Sequence, residues 1–259
     1  MSRQIRTPGG HRTAVFKTLF DAVGLTRTAR SIAERGFNRR LAFGLVLAAA
    51  LAWLVPFDIR FTTPPLGLPP VRAGFIVLLA LVGSALGRRI GLSVGGPARG
   101  HPARDALVAA VIVAVWCALC DWLWRPSLHP DYVRLLTTTP LVVRIALFAM
   151  RALNENILYR LFLGSLLIWI LGFIWKGPDG RPATGAFWTG FTLSQMVNIW
   201  SNVTALAPLT PAAVLHDMLR YVAPGVVWAW LYWRRGFTAT EIASTSVHVF
   251  FQPLVVLGL

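Results

Sequence analysis

The side chains able to do chemistry in this chain lie where an apolar sequence should carry none. Glu155 sits in Asn154-Glu155-Asn156-Ile157-Leu158-Tyr159-Arg160, inside an apolar stretch covering residues 140–175. An ionisable group near the middle of a bilayer costs about 3 kcal/mol or more unless it is paired or faces water, so such a residue is a functional-site hypothesis by default. Asp217 is its nearest rival among the acids; most of the others fall in loops or near the ends of apolar runs. Other polar side chains gather in the same C-terminal half. Arg144, Arg151, Asn156 and Arg160 accompany Glu155, and Ser194, Gln195 and Asn198 follow on the next apolar run. His216, Asp217 and Arg220 lie on the one after, and Ser244, Ser246, His248 and Gln252 on the last. Polar groups in lipid must find partners, so these four segments are expected to face one another around a polar cavity.

Spacing narrows the chemistry. Arg151 and Glu155 are four apart and share a helix face, which by itself predicts an intramembrane ion pair and nothing more. Arg160, five beyond Glu155, falls about 140° round an ideal α-helix. His248 and Gln252 are again four apart, so an imidazole and an amide share one face. A lone membrane histidine usually serves as a helix–helix hydrogen bonder; one with a Gln a turn away, opposite a helix bearing a buried Glu, is more specific. His216 is a second imidazole, but five residues into its run it is expected to sit nearer the external surface than Glu155. Glu155, His216, Asp217 and His248 are the available metal ligands, and no His-Glu-x-x-His spacing is present. No metal and no cofactor is called for.

The elements that must hold these groups are membrane helices. Apolar residues make up 56% of the 259-residue chain and mean hydropathy is +0.61. The expected fold class is all-α, a polytopic membrane helical bundle of about seven transmembrane helices, near 41–57, 73–86, 106–124, 140–175, 184–200, 211–233 and 242–257. The fourth run is overlong, which predicts a kink or a partly interfacial segment. The first three spans carry almost none of the polar groups and read as scaffold over 41–136, leaving 137–259 as the functional core. Residues 1–40 form a basic segment, of which 14–37 has the makings of an amphipathic helix lying on the membrane face. Arg39-Arg40 before the first span resembles a twin-arginine signal, but reads better as a positive anchor for that span.

The net charge of +15 would point to nucleic acid in a soluble protein. Here the basic residues follow topology. Seventeen of the 25 fall on one side of a seven-span arrangement: nine in the first forty residues, four in 88–104, then Lys176, Arg181, Arg234 and Arg235. Arg60, Arg72, Arg125 and Arg134 lie opposite. That bias predicts a cytoplasmic N-terminus, anionic lipid as the partner of the basic segment, and no nucleic acid. Lys17 and Lys176 are the only lysines, a weak compositional hint of a bacterial inner-membrane protein. Cys117 and Cys120 lie inside an apolar run with no second Cys pair, which makes them small packing residues rather than a redox or metal pair.

The order of these motifs resembles the CAAX protease and bacteriocin-processing family. That family has a helix with Glu-Glu-x-x-x-Arg, then Phe-x-x-x-His, then a last helix with His-x-x-x-Asn or Asp. The corresponding residues are Glu155-Asn156-x-x-x-Arg160, Phe191-x-x-x-Gln195 and His248-x-x-x-Gln252, and 225–236 is similar to the family's lead-in to the last motif. The likeness covers 137–257. It implies a glutamate-dependent intramembrane peptidase acting on a membrane-embedded or lipidated peptide. Glu155 would activate a water, His248 would hold the oxyanion with Gln252 assisting, Gln195 would stand where the family has its second catalytic His, and Arg160 would tie the helix to its neighbours. Glutamine cannot exchange a proton, although it can orient a water. The departures at Asn156, Gln195 and Gln252 keep a second reading open: a catalytically inactive relative binding a membrane peptide as a chaperone or immunity factor. A third is a proton-coupled transporter, with Glu155 carrying the proton and Arg144 and Arg151 an anion.

Overall fold

The computed structural model describes residues 39–54, 68–95, 101–203 and 210–258. The basic segment 1–38, with its expected surface helix, lies outside them, as do the proline-rich turns at 64–65 and 208. By its own contacts the chain divides at Gly44. Met1–Gly44 contributes only the opening of the first helix to the described residues, and the polar groups of interest all belong to Leu45–Leu259.

Among the described residues the regular structure is helical. In chain order α1 is Arg39–Leu54, α2 Pro69–Arg89, α3 Pro102–Leu123 and α4 Pro130–Thr138. Then come α5, Leu141–Ile174, α6, Thr184–Val203, α7, covering 211–235, and α8, Phe237–Leu257. Prolines open α2, α3, α4 and α7 at the first or second position, where the missing N–H costs no helical bond. α2, α3 and α5 are long and apolar enough to cross a membrane, at mean hydropathies of 1.8, 2.3 and 2.1. α1, α6, α7 and α8 occupy the other four expected spans, short of that combined length and apolarity. α4 falls where only a loop is expected; His129 caps it through Asp131 N at 3.2 Å.

The overlong 140–175 stretch is a single continuous helix with no break at a proline or glycine. Its 34 residues would reach about 51 Å at α-helical rise, against about 30 Å of hydrocarbon. What interrupts its regularity is a π-helical segment, Asn156–Gly164, beginning immediately after Glu155. α7 carries a second, Met218–Val222.

Two apolar clusters hold the helices. One joins α2 to the second half of α5, to α6 and to the end of α7, through Ile76, Leu79, Ile157, Leu161, Ile168, Phe191 and Tyr232. The other joins α3, α7 and α8. Ala106, Ala110, Ala114, Cys117 and Ala118 of α3 meet Ala239, Ala243, Val247 and Phe251 of α8, and small side chains at this spacing let helix backbones approach closely. Both thiols are buried and free. α8 follows α7 after one residue, Gly236, at φ 91°, a conformation that favours glycine. The first N–H groups of α8 are met from outside. Phe237 N donates to Ser93 O at 3.1 Å and Thr238 N to Val94 O at 2.9 Å. Arg235 pairs with Asp105 of α3 at 2.6 Å.

Candidate functional site

The two π segments decide how the polar residues are arranged. A π turn bonds i to i+5, so it widens the helix and brings residues five apart towards one face. Glu155 and Arg160, separated by about 140° on ideal α geometry, therefore both line a single cavity of about 500 Å³. Gln195 of α6 and His248 and Gln252 of α8 line the same cavity. The five side chains singled out in the sequence thus meet around one space.

Glu155 Oε1 accepts from Arg151 Nε at 2.6 Å, and the pair is only partly buried. Arg160 points the other way along the network. Its Nη1 donates to Asn156 Oδ1 at 2.7 Å and its Nη2 to Gln195 Oε1 at 2.8 Å. Gln195 then donates through Nε2 to Tyr221 O at 3.0 Å. Asn156 Nδ2 donates to Glu241 Oε2 at 3.3 Å and to Ser244 Oγ, both on α8. Arg160, Asn156 and Gln195 thereby tie α5 to α6, α7 and α8. Gly225 makes room for this: a Cβ there would overlap the side-chain carbons of Gln195, so any side chain would displace that amide.

Gln195 belongs to a wider pattern. π geometry leaves backbone carbonyls that side chains must help satisfy. Three successive carbonyls of the α7 π segment accept from neighbouring helices. Leu219 O takes Trp116 Nε1 at 2.8 Å, Arg220 O takes Cys117 Sγ at 3.6 Å, and Tyr221 O takes Gln195 Nε2. Within the π segment of α5, Tyr159 O accepts from Ser194 Oγ.

His248 and Gln252 are arranged differently. His248 stacks on Phe148 at 5.5 Å between centroids and 24° between planes, and its buried Nδ1 has no hydrogen-bond partner among the described residues. Gln252 is fully enclosed, and its Oε1 likewise has no partner among them. Buried polar groups without partners are rare and call for an explanation; both residues line the cavity, while these two atoms are enclosed behind its wall.

A second cluster closes the other side of the cavity. Asp121, on α3, is 0% exposed. Its Oδ1 receives Arg220 Nε at 2.9 Å and meets His216 Nε2 at 3.1 Å, while Oδ2 accepts from Tyr132 Oη of α4 at 2.8 Å. His216 Nδ1 is 3.1 Å from Asp217 Oδ1. Both imidazole nitrogens are therefore held by carboxylates, and the ring is committed to this cluster rather than to a role beside Glu155. The expectation that the first three spans are bare scaffold needs correcting. α3 supplies the carboxylate at the centre of this cluster and two donors to the α7 π segment. Asp121 is hidden in the sequence by its place one turn from the end of an apolar run, where an acid reads as a boundary residue. Glu241, on the first turns of α8, is hidden in the same way.

Among the described residues no group of three or more His, Cys, Asp and Glu side chains is arranged to hold a metal ion. No family model matches the chain, and neither a curated protein nor a solved structure matches it.

Proposed function

We propose that this protein is an intramembrane peptidase of the CAAX protease and bacteriocin-processing type, hydrolysing a membrane-embedded or lipidated peptide with a water activated by Glu155. In this reading the chain crosses a bacterial inner membrane seven times with its N-terminus in the cytoplasm, and the basic segment rests on anionic lipid. The observation that carries it is the convergence of Glu155, Arg160, Gln195, His248 and Gln252 from α5, α6 and α8 on one cavity.

The geometry supports a division of labour. Arg151 occupies Oε1 of Glu155, which aims the carboxylate and leaves Oε2 to take a proton from water. The water oxygen bonds to the scissile carbonyl carbon, and negative charge moves onto the carbonyl oxygen. His248 lines the cavity and is the imidazole available to donate to that oxygen, and one such donor contributes about 3–4 kcal/mol to an acyl-transfer transition state. Collapse breaks the C–N bond, and Glu155 returns its proton to the leaving amine. Gln252, one turn on, fixes the peptide beside the histidine.

One observation favours a second reading, a catalytically inactive protein that binds a membrane peptide. Both ends of the Gln195 amide are engaged, by Arg160 and by Tyr221 O, which makes it a strut between helices rather than a holder of water. The test is cleavage of a peptide library by the purified protein in lipid, comparing wild type, Glu155→Gln and Gln195→His. Cleavage by wild type that Glu155→Gln abolishes supports the peptidase. Cleavage by Gln195→His alone transfers the assignment to the binding protein. Uptake driven by a pH gradient in proteoliposomes, with no cleavage by any of the three, would move it to transport.

A further inference from the structure

The Glu155 cavity is blind at one end and open at the other. Among the described residues, the exposed members of its lining are Ser127, Asp131 and Leu135, all on α4 or the short turn before it. The inner wall is buried: Asn156, Arg160, Gln195, Trp228 and Ser244 are between 1% and 6% exposed. The hydrogen bonds from Arg160 to Asn156 and Gln195 form its floor. Nothing in 161–194 or 229–243 lines it, so packed helix separates it from the other end of the bundle.

The two ends differ in charge. α3 finishes beside the mouth, where Trp122 Nε1 donates to Val255 O at 3.2 Å and Arg125 Nη1 to Gly258 O at 3.3 Å. The end of α8 therefore lies there too. The opposite end gathers the close of α2 and α7 and the openings of α3 and α8, through the Phe237–Ser93 and Arg235–Asp105 contacts. The turn between α5 and α6 joins them: a Cβ on Gly91 would lie 3.5 Å from Arg181 Nη1. Arg88, Arg89, Arg104, Lys176, Arg181 and Arg234 are all exposed at this closed end. Among the described residues the exposed cations near the mouth are Arg125 and Arg134, and Arg134 is paired with Asp131 at 2.9 Å. The cation-rich ends of membrane helices stay in the cytoplasm, which puts the mouth on the other side.

We propose that the Glu155 cavity opens to the extracytoplasmic face of the membrane and takes its substrate from there. That substrate is a peptide segment on the outer side of the membrane, rather than a lipidated tail in the cytoplasm. The side of the mouth stands without the peptidase reading; that the occupant is a cleaved peptide rests on it.

The test is cysteine labelling of the full chain in bacterial spheroplasts with a membrane-impermeant maleimide, in a Cys117→Ser, Cys120→Ala background. Ser127→Cys marks the mouth, Ala152→Cys the cavity wall one turn before Glu155, and Lys176→Cys the closed end. Ser127→Cys and Ala152→Cys should label in intact spheroplasts, and Lys176→Cys only after lysis. The reverse pattern would overturn the proposal. So would labelling of Ala152→Cys only after lysis, because the cavity would then open to the cytoplasm. If the cysteine background fails to fold, the peptide library is presented to right-side-out and inside-out vesicles carrying the unaltered protein. Cleavage in the right-side-out vesicles that is lost in the inside-out ones supports the outer mouth, and the opposite preference overturns it. Absence of cleavage from both faces, beside the expected labelling, would overturn the peptide occupant and the peptidase reading together while the side of the mouth stands.

Discussion

The two polar clusters facing the same cavity are built to opposite rules. Around Asp121 the hydrogen bonding is closed: Arg220, His216 and Tyr132 satisfy the carboxylate, and Asp217 takes the far nitrogen of the imidazole. Around Glu155 it is open. The carboxylate keeps one oxygen unengaged and partly exposed, and His248 Nδ1 and Gln252 Oε1 have no partner among the described residues. A closed buried network rigidifies a fold, while an open one costs free energy that a water, an ion or a ligand can offset. The difference separates the lock between α3, α4 and α7 from the side of the cavity proposed to take a substrate.

The largest effect should come from opening the closed cluster. Asp121→Ala strands Arg220 and His216 together, and loss of one partner from such a buried pair costs about 3–5 kcal/mol. Unfolding midpoints in lipid or micelles measure it; a loss below about 1 kcal/mol would mean the cluster is no lock. Next is the strut through Arg160. Arg160→Met leaves the acceptors of Asn156 and Gln195 unpaired and should cost about 2–4 kcal/mol. A double-mutant cycle with Gln195→Leu should return a coupling of about 1–2 kcal/mol, and additivity would show that the two act separately.

On the open side stability and function should part company. Glu155→Gln removes half of a partly exposed ion pair, so stability should change by no more than about 1 kcal/mol while peptide cleavage is lost entirely. A large stability loss with cleavage retained would turn Glu155 into a structural residue. Gln252→Leu should have the smallest effect on folding. Replacing an unsatisfied buried acceptor with an apolar chain should leave stability unchanged or raise it by about 1 kcal/mol, again with turnover reduced. Destabilisation instead would mean that the amide already has a partner.

Arg151–Glu155 shows how far spacing alone reaches: four residues apart on one helix, the pair is found at 2.6 Å. Arg160 shows where it stops. Its angle to Glu155 depends on π turns that pattern reading does not register, because the sequence of 156–164 is as compatible with α as with π geometry. Gly225 is similarly mute. A glycine in an apolar run does not announce that Gln195 of another helix fills the space beside it.

Composition and hydropathy were sufficient to establish a helical protein with segments long and apolar enough to cross a membrane, because apolar length is a local property that needs no partner to be read. Motif order was sufficient to gather Glu155, Arg160, Gln195, His248 and Gln252 as a set to look for. Only the tertiary structure decided which charges are already paired and which remain available. Asp121, 95 residues from His216 and 99 from Arg220, acquires its partners through the packing of α3 on α7. Gln195 becomes a strut because a π segment presents it with Tyr221 O. Whether a buried polar group is satisfied depends on long-range neighbours, and these are set by how helices pack rather than by the spacing along any one of them.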